Sequence, residues 1–480
     1  MKKIGILLLI LCYFVCGIPL HCFAAGVEST SESVATDAAN DQENSAVISG
    51  SHSLDALNPL LGSEKLVDNV RSAVVYEANS QTMMYAWNPD AQMYPASLVK
   101  IMTALLAVEN CALDEIVTVS KSAVDSVPAD AVSAKLQAEE KLSINDLLHC
   151  LLVGSANDAA VVIAEHISGS QSSFVTQMNL RAQELGCNGT VFTNAHGLHD
   201  DNQHTTARDS AKILDAALKN PVFKTIFTTD EYIVNATGIS SDRKFVTNNT
   251  MKDSSSKLYY DARVIGGRTG VAKDGRRCIA SAAESNGMLV ISVVMGSESV
   301  YQEDGYSAIS VGGFKETTSL LDACLTGYKT AQILRAEQVL RQIPVEGAQN
   351  DLLIGAHVSV STVLPENTAY ENLTFTYADM QLTLPIQKGQ HVSNVQIWNG
   401  GMCVAQAELY ALNELRSVND GKGVTPSDSD NSVPIAIWIV LGVTLLIVIV
   451  FVLIRFSRKI RMFFRYLRRK RYRRSRKRAR

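Results

Sequence analysis

Residues 95–106 read Pro-Ala-Ser-Leu-Val-Lys-Ile-Met-Thr-Ala-Leu-Leu, and this run leaves few folds open. Apolar residues at 98, 101, 102, 105 and 106 recur at spacings of three and four among good helix formers, which predicts a helix buried along one face. Ser97 stands at its start. Ser97 and Lys100 lie one turn apart on the same helical face, close enough for an amine to take a hydroxyl proton. That is a nucleophile beside its base. The same Ser-x-x-Lys spacing occurs at Ser241/Lys244 and Ser254/Lys257, in polar, loop-like surroundings that suit a solvated lysine. Only at Ser97 does the pair enter an apolar helix, where burial lowers a lysine pKa toward neutrality. The simpler reading, a helix-starting serine beside a snorkelling lysine, stays open on this stretch alone.

The two ends set the compartment. Met1, Lys2 and Lys3, an apolar run to Val15 and small residues near Ala24 form the three parts of a secretory signal peptide, residues 1–25, with cleavage expected near Ala24 or Ala25. A lipid-modified cysteine fits less well, because Val15 precedes Cys16 and His21 precedes Cys22. Residues 433–454 are 22 positions without a charge, about 33 Å as a helix and enough to cross a bilayer. Behind them, residues 458–480 carry 14 Lys or Arg and no acid, so the tail is expected to stay cytoplasmic and residues 26–432 to lie outside.

The net charge of −4 hides a division. Residues 26–432 hold all 48 acids, whereas Lys2, Lys3, Arg455 and the tail account for 17 of the 44 Lys and Arg, leaving about −21 outside. Nucleic acid is therefore not an expected partner of the outer part, and anionic inner-leaflet lipid is the simplest one for the tail. Six of the nine cysteines, at 111, 150, 187, 278, 324 and 403, lie beyond the signal region. They are widely spaced without metal-like pairing and read mostly as buried small hydrophobes, with one or two bridges possible.

Residues 26–62 are rich in Ser, Ala, Asp, Glu and Asn, which predicts a disordered leader. Residues 73–79 and 81–87 read as a strand pair around Asn79-Ser80, and 116–119 as a strand. Residues 120–140 carry no clear pattern. Residues 142–153 read as a helix capped by Ser143, and 159–167 resume helical spacing. The intervening Ser155 and Asn157 mark either a tight corner or part of a pocket. The loop 192–204 gathers His196, His199 and His204 with Asp200 and Asp201. A metal site there lacks the regular spacing of a helical zinc motif, and solvated histidines are the simpler reading. Residues 277–282 and 288–295 read as strands, the second almost wholly apolar and hence central, pairing antiparallel with the Arg268 segment. Residues 311–340 look helical. From 343 to 412 short strand-like runs at 352–360, 373–377 and 392–398 predict an all-β module.

Ser97-Leu98-Val99-Lys100, Ser155-Ala156-Asn157 and Arg268-Thr269-Gly270, in that order, resemble the Ser-x-x-Lys, Ser-x-Asn and Lys-Thr-Gly elements of penicillin-binding proteins and serine β-lactamases. With Pro95-Ala96, Asn157-Asp158-Ala159-Ala160, His196-Gly197-Leu198 and Thr205-Thr206-Ala207-Arg208-Asp209, the chain looks like the low-molecular-weight D-alanyl-D-alanine carboxypeptidases over roughly residues 64–330. The resemblance implies an α/β (α+β) fold, a transpeptidase domain with an antiparallel sheet flanked by helices, then a small all-β domain, to which the apolar run adds one transmembrane helix. Together with the composition of the ends, it divides the chain into a catalytic domain at 63–330, a β domain at 331–416, a linker at 417–432, a membrane helix at 433–455 and a basic cytoplasmic tail at 456–480.

By this likeness Ser97 attacks the carbonyl between the two terminal D-alanines of a peptidoglycan stem peptide and Lys100 takes its proton. Ser155 relays a proton to the leaving amine, and Asn157 holds Lys100 and the substrate amide. The N–H groups of Ser97 and Val271 form the oxyanion hole, and Arg268, Thr269, Gly270 and Val271 receive the substrate. β-Lactams are implied inhibitors, and neither a metal nor an organic cofactor is needed. The chain departs from the family at Arg268, where lysine is usual, and at Ala272 and Gly275-Arg276 after the motif. Arg268 keeps the positive charge and can grip a terminal carboxylate with two bonds. The anchor also differs, since the family usually ends in an amphipathic helix. Two other readings remain: a β-lactamase-like hydrolase, and a catalytically weak wall-binding or signalling protein.

Overall fold

The computed structural model describes residues 59–302 and 308–418. Five strands, β1 (Ser72–Glu77), β2 (Thr82–Trp87), β3 (Val264–Val271), β4 (Arg277–Ser285) and β5 (Met288–Ser297), form one antiparallel sheet in the order β2-β1-β5-β4-β3. The apolar run of β5 takes the central place, as its pattern predicts. The reason is that both faces of the sheet are covered. Ile291, Val293 and Met295 of β5 join Val74 and Tyr76 of β1 in a core on one face, while Val290 and Val294 join Ala73 and Val75 in a core on the other. The two sets alternate along each strand, as a pleated backbone requires.

The larger core is roofed by α1 (Val99–Asn110), α2 (Ile144–Leu152), α3 (Asn157–Ser168), α4 (Gln171–Glu184) and α5 (Ala207–Leu218). Every residue of α1 from Val99 to Ala107 is buried, so this helix is enclosed on all sides. α2 starts at a full capping box, in which Ser143 and Asp146 satisfy each other's backbone N–H groups. The unpatterned stretch 120–140 supplies the short helix Lys121–Asp125 and a loop leading to a strand, Lys141–Ser143, that pairs with Ile116–Thr118. On the opposite face, α6 (Phe314–Leu325) packs Phe314, Leu320, Leu321 and Cys324 against the sheet.

Two expectations are corrected here. Helix does not continue from 311 to 340: α6 stops at Leu325, Gly327 turns the chain at a φ of 80°, and β6 (Tyr328–Leu334) follows. A glycine in the left-handed region ends helices at little cost. The leader expected through residue 62 is ordered at its end, because Leu60 and Leu61 donate backbone hydrogen bonds of 2.9 and 2.8 Å to Met83 and Met84 and pack on the second core.

After β6, the strands β7 (Arg341–Ile343), β8 (Leu352–Gly355), β9 (Val360–Pro365), β10 (Leu373–Tyr377), β11 (His391–Asn399) and β12 (Met402–Ala411) complete the expected all-β domain. β6 pairs with β9, and the others form an antiparallel sheet ordered β7-β8-β12-β11-β10 over a third core. Among the described residues no helix is long and apolar enough to cross a membrane. The signal peptide, most of the leader, nearly all of the linker, the apolar run 433–454 and the basic tail lie outside the described residues.

Candidate active site

The helical turn Ala96–Leu98 feeds directly into α1, so Ser97 and Lys100 lie on one continuous helical entry, as their spacing predicts. Ala96 has a φ of 46°. A residue other than glycine held in this region costs on the order of 1–3 kcal/mol and persists only when its surroundings enforce it. Two glycines let those surroundings close in. A Cβ on Gly197 would collide with the Ala96 carbonyl oxygen, and one on Gly270 would lie 2.7 Å from the Ser97 nitrogen.

Lys100 is wholly buried. Its Nζ lies 3.3 Å from Ser97 Oγ and 2.7 Å from Asn157 Oδ1, and it also donates to the His196 carbonyl. Burial, and after it the charge of Arg268, hold its pKa well below the ordinary lysine value, against an opposing pull from Asp158. A neutral amine with those neighbours donates to Asn157 and His196 and keeps its lone pair for the Ser97 hydroxyl. That is the orientation a general base needs. His196 is itself pushed down to about 4, by burial and then by Lys100, so it is uncharged at neutral pH.

Ser155 and Asn157 come from the corner between α2 and α3. Ser155 has a φ of 59° and points its hydroxyl at Ser97 Oγ across 3.5 Å. The corner is therefore both tight and part of the pocket. Asn157 opens α3, and Asp158 behind it accepts hydrogen bonds from Ala134 N–H, Leu136 N–H and the Ser133 hydroxyl, at 2.9, 3.0 and 2.7 Å. A buried carboxylate with this many donors pins the neighbouring loop in place.

Arg268 lies on β3 at the sheet edge and is only 1% exposed. One guanidinium nitrogen, Nη1, donates to the Leu152 carbonyl at 2.6 Å, while Nε and Nη2 are buried without a hydrogen-bond partner. Burial lowers its pKa to about 10, which leaves it a cation at neutral pH. Thr269 and Gly270 follow along the edge, and Val271 is exposed. Beyond Val271 a groove of about 280 Å³ continues past Tyr94 and Ala272, lined also by Arg71, Asp201 and Arg276.

The structure thus gathers Ser97, Lys100, Ser155 and Asn157 within hydrogen-bonding reach, with Arg268 behind them and Gly270 against the Ser97 backbone. The His196 carbonyl and the Asp158 clamp were not assigned roles from the sequence. A backbone acceptor has no residue signature, and Asp158 is recognisable only by the donors that folding brings to it. In the histidine loop His199 pairs with Asp201 at 2.9 Å, while His196 Nδ1 accepts from Leu198 N–H.

A serine held behind the strained Ala96 and beside a buried lysine of lowered pKa, with a second serine and an asparagine at the edge of an antiparallel sheet, defines a serine acyl-transfer enzyme of the Ser-x-x-Lys type. A family model described as D-alanyl-D-alanine carboxypeptidase matches residues 64–299, and one described as penicillin-binding protein 5, C-terminal domain, matches residues 328–417. The D-alanyl-D-alanine carboxypeptidase DacA of Haemophilus influenzae is 31% identical over 354 residues, covering 71% of this chain and 84% of that protein. DacF of Bacillus subtilis, also a D-alanyl-D-alanine carboxypeptidase, is 26% identical over 358 residues, covering 73% and 87%. The crystal structure of penicillin binding protein 5 from Haemophilus influenzae aligns with a TM-score of 0.63 at 28% identity, covering 74% of this chain and 100% of that one. The chain belongs to the D-alanyl-D-alanine carboxypeptidase family.

Proposed function

We infer that this protein is a serine-type D-alanyl-D-alanine carboxypeptidase that trims the last D-alanine from peptidoglycan stem peptides and is acylated by penicillins. The observation that carries the reading is the Lys100 amine, buried and lowered in pKa, facing Ser97 Oγ while Asn157 and the His196 carbonyl occupy its other directions.

Ser97 Oγ adds to the carbonyl of the penultimate D-alanine as its proton passes to Lys100. The negative charge on the carbonyl oxygen falls where the backbone N–H groups of Ser97 and Val271 can meet it, beside Gly270. The carbon–nitrogen bond then breaks, and the leaving amine takes a proton delivered through Ser155. Water attacks the ester next, giving a proton to Lys100, and the Ser97 oxygen leaves and regains its hydrogen. The terminal carboxylate is received beside Thr269, with the buried Arg268 cation behind it supplying positive charge. The upstream part of the stem peptide runs past Val271 into the groove by Tyr94 and Ala272.

The apolar run 433–454 and the basic tail support an extracytoplasmic catalytic domain on a single-pass bacterial membrane anchor, with the tail in the cytoplasm. A fluorescent penicillin should label the purified protein stably and leave Ser97→Ala unlabelled, and a pentapeptide ending in D-Ala-D-Ala should release free D-alanine. An unlabelled wild-type protein would remove the acyl-enzyme from the mechanism, and rapid turnover of the penicillin would identify a β-lactamase instead.

A further inference from the structure

At the far end of the two catalytic helices a second group of side chains converges. Cys111 follows the last residue of α1, His166 lies in the last turn of α3, and Glu115 sits on the short turn between them in space. One ligand atom from each lies within 4.8 Å of the other two. His166 Nε2 and a Glu115 carboxylate oxygen are 2.9 Å apart, while the side chains of His166 and Glu115 remain 25% and 43% exposed. Burial, and then the Glu115 charge, raise the Cys111 pKa, so without a metal this residue is a thiol.

We propose that Cys111, Glu115 and His166 form a binding site for a divalent metal ion of the zinc type, which clamps α1 to α3. Sulfur, nitrogen and oxygen together are the donor set of zinc, which also takes water as a fourth ligand in partly open sites. Bond lengths of about 2.0–2.3 Å place tetrahedral ligands roughly 3.3–3.8 Å apart, so these partly exposed side chains need to move by only about 1 Å or less, His166 and Glu115 parting slightly as Cys111 closes in. On binding, the metal takes the place of the His166 Nε2 hydrogen, the ring proton passing to Nδ1 by exchange with solvent, and the Cys111 thiol releases its proton to solvent. Thiolate and carboxylate then balance the two positive charges. Both helices point their C-terminal, partially negative ends at the site, which favours a cation there.

The location gives the clamp its meaning. α1 and α3 each have 12 residues, so the metal lies about 18 Å from their N-terminal ends, where Lys100 meets Asn157 at 2.7 Å. The ion is too far away to touch substrate. It holds the pair of helices that carry the base and its partner.

Titration of the reduced full-length protein with cobalt(II) alone tests the site. One equivalent should produce a thiolate-to-cobalt charge-transfer band with intense tetrahedral d–d absorption, and zinc should bleach both. Cys111→Ser should abolish the band. His166→Gln, a milder change at a partly exposed position, should weaken cobalt binding roughly tenfold or more, while Cys403→Ser should leave it intact. Zinc should raise the melting temperature of the wild type and not of Cys111→Ser. A missing thiolate band at saturating cobalt, or an equal band in Cys111→Ser, would overturn the proposal. Penicillin labelling of Ser97, measured in parallel, reports separately on the active site.

Discussion

Lys100 and Arg268 decide the chemistry of the site at the level of single charges. Lys100 must be neutral to accept the Ser97 proton, and below its own pKa the neutral fraction falls tenfold per pH unit. Burial contributes most to keeping that pKa low, and the Arg268 cation adds to it. Removing the cation makes protonated Lys100 easier to form, raises its pKa and moves the acid limb of acylation to higher pH. Arg268→Gln is therefore expected to lose acylation steeply on the acid side, by about tenfold for each unit the limb moves, while Arg268→Lys keeps the limb near its place. The pH dependence of the penicillin acylation rate measures this, and an unmoved limb would leave Arg268 without an electrostatic role. Gly270→Ala places a methyl group 2.7 Å from the Ser97 nitrogen, the proposed oxyanion donor. A loss of roughly 10²–10³-fold in acylation is expected, because loss of one oxyanion donor has that size, together with a lowered melting temperature from the backbone shift the clash requires.

Among the elements, α2 is the one whose energetics are easiest to isolate. Its N-cap was legible in advance at Ser143, and the structure adds Asp146 as the reciprocal partner, whose N–H the Ser143 hydroxyl accepts at 3.0 Å. Ser143→Ala is expected to lower stability by about 0.5–2 kcal/mol in denaturant titration, with penicillin acylation intact at temperatures where the variant is folded. The other end of α2 could not be read so far. The Ser155 corner is set by its left-handed backbone and by the Asp158 clamp on Ser133–Leu136, contacts that depend on a loop without periodicity. The same limit explains the mistaken helix at 311–340. Apolar spacing there suits either structure, and the pairing of β6 with β9 some 30 residues later makes residues 328–334 a strand.

For the whole molecule, the charge division is the clearest feature, with an acidic stretch at 26–432 and a basic tail separated by an apolar run. Full-length protein is expected to sediment with membranes, and a chain stopped before residue 433 to be released in soluble form with its penicillin labelling retained. Release of the full-length chain would end the anchor proposal, and retention of the shortened one would place the attachment elsewhere. The β domain is not a free appendage, since Val363 of β9 belongs to the same core that α6 makes against the catalytic sheet. Cutting the chain after α6 is expected to lower the melting temperature of the catalytic domain, because it bares that core.

Local order belonged to the sequence. The buried α1, the central β5, the Ser143 cap and the Ser-x-x-Lys pair all follow from spacing or composition within a few neighbouring residues, where periodicity and propensity act. Tertiary structure decided what depends on approach between distant segments. It brought the His196 carbonyl to Lys100, buried Arg268 against Leu152, set Gly270 against the Ser97 backbone and turned residues 328–334 into a strand. It also brought Cys111 to His166 across 55 positions. Burial and the fields of remote charges fix the pKa of Lys100, and those exist only once the chain has closed around it.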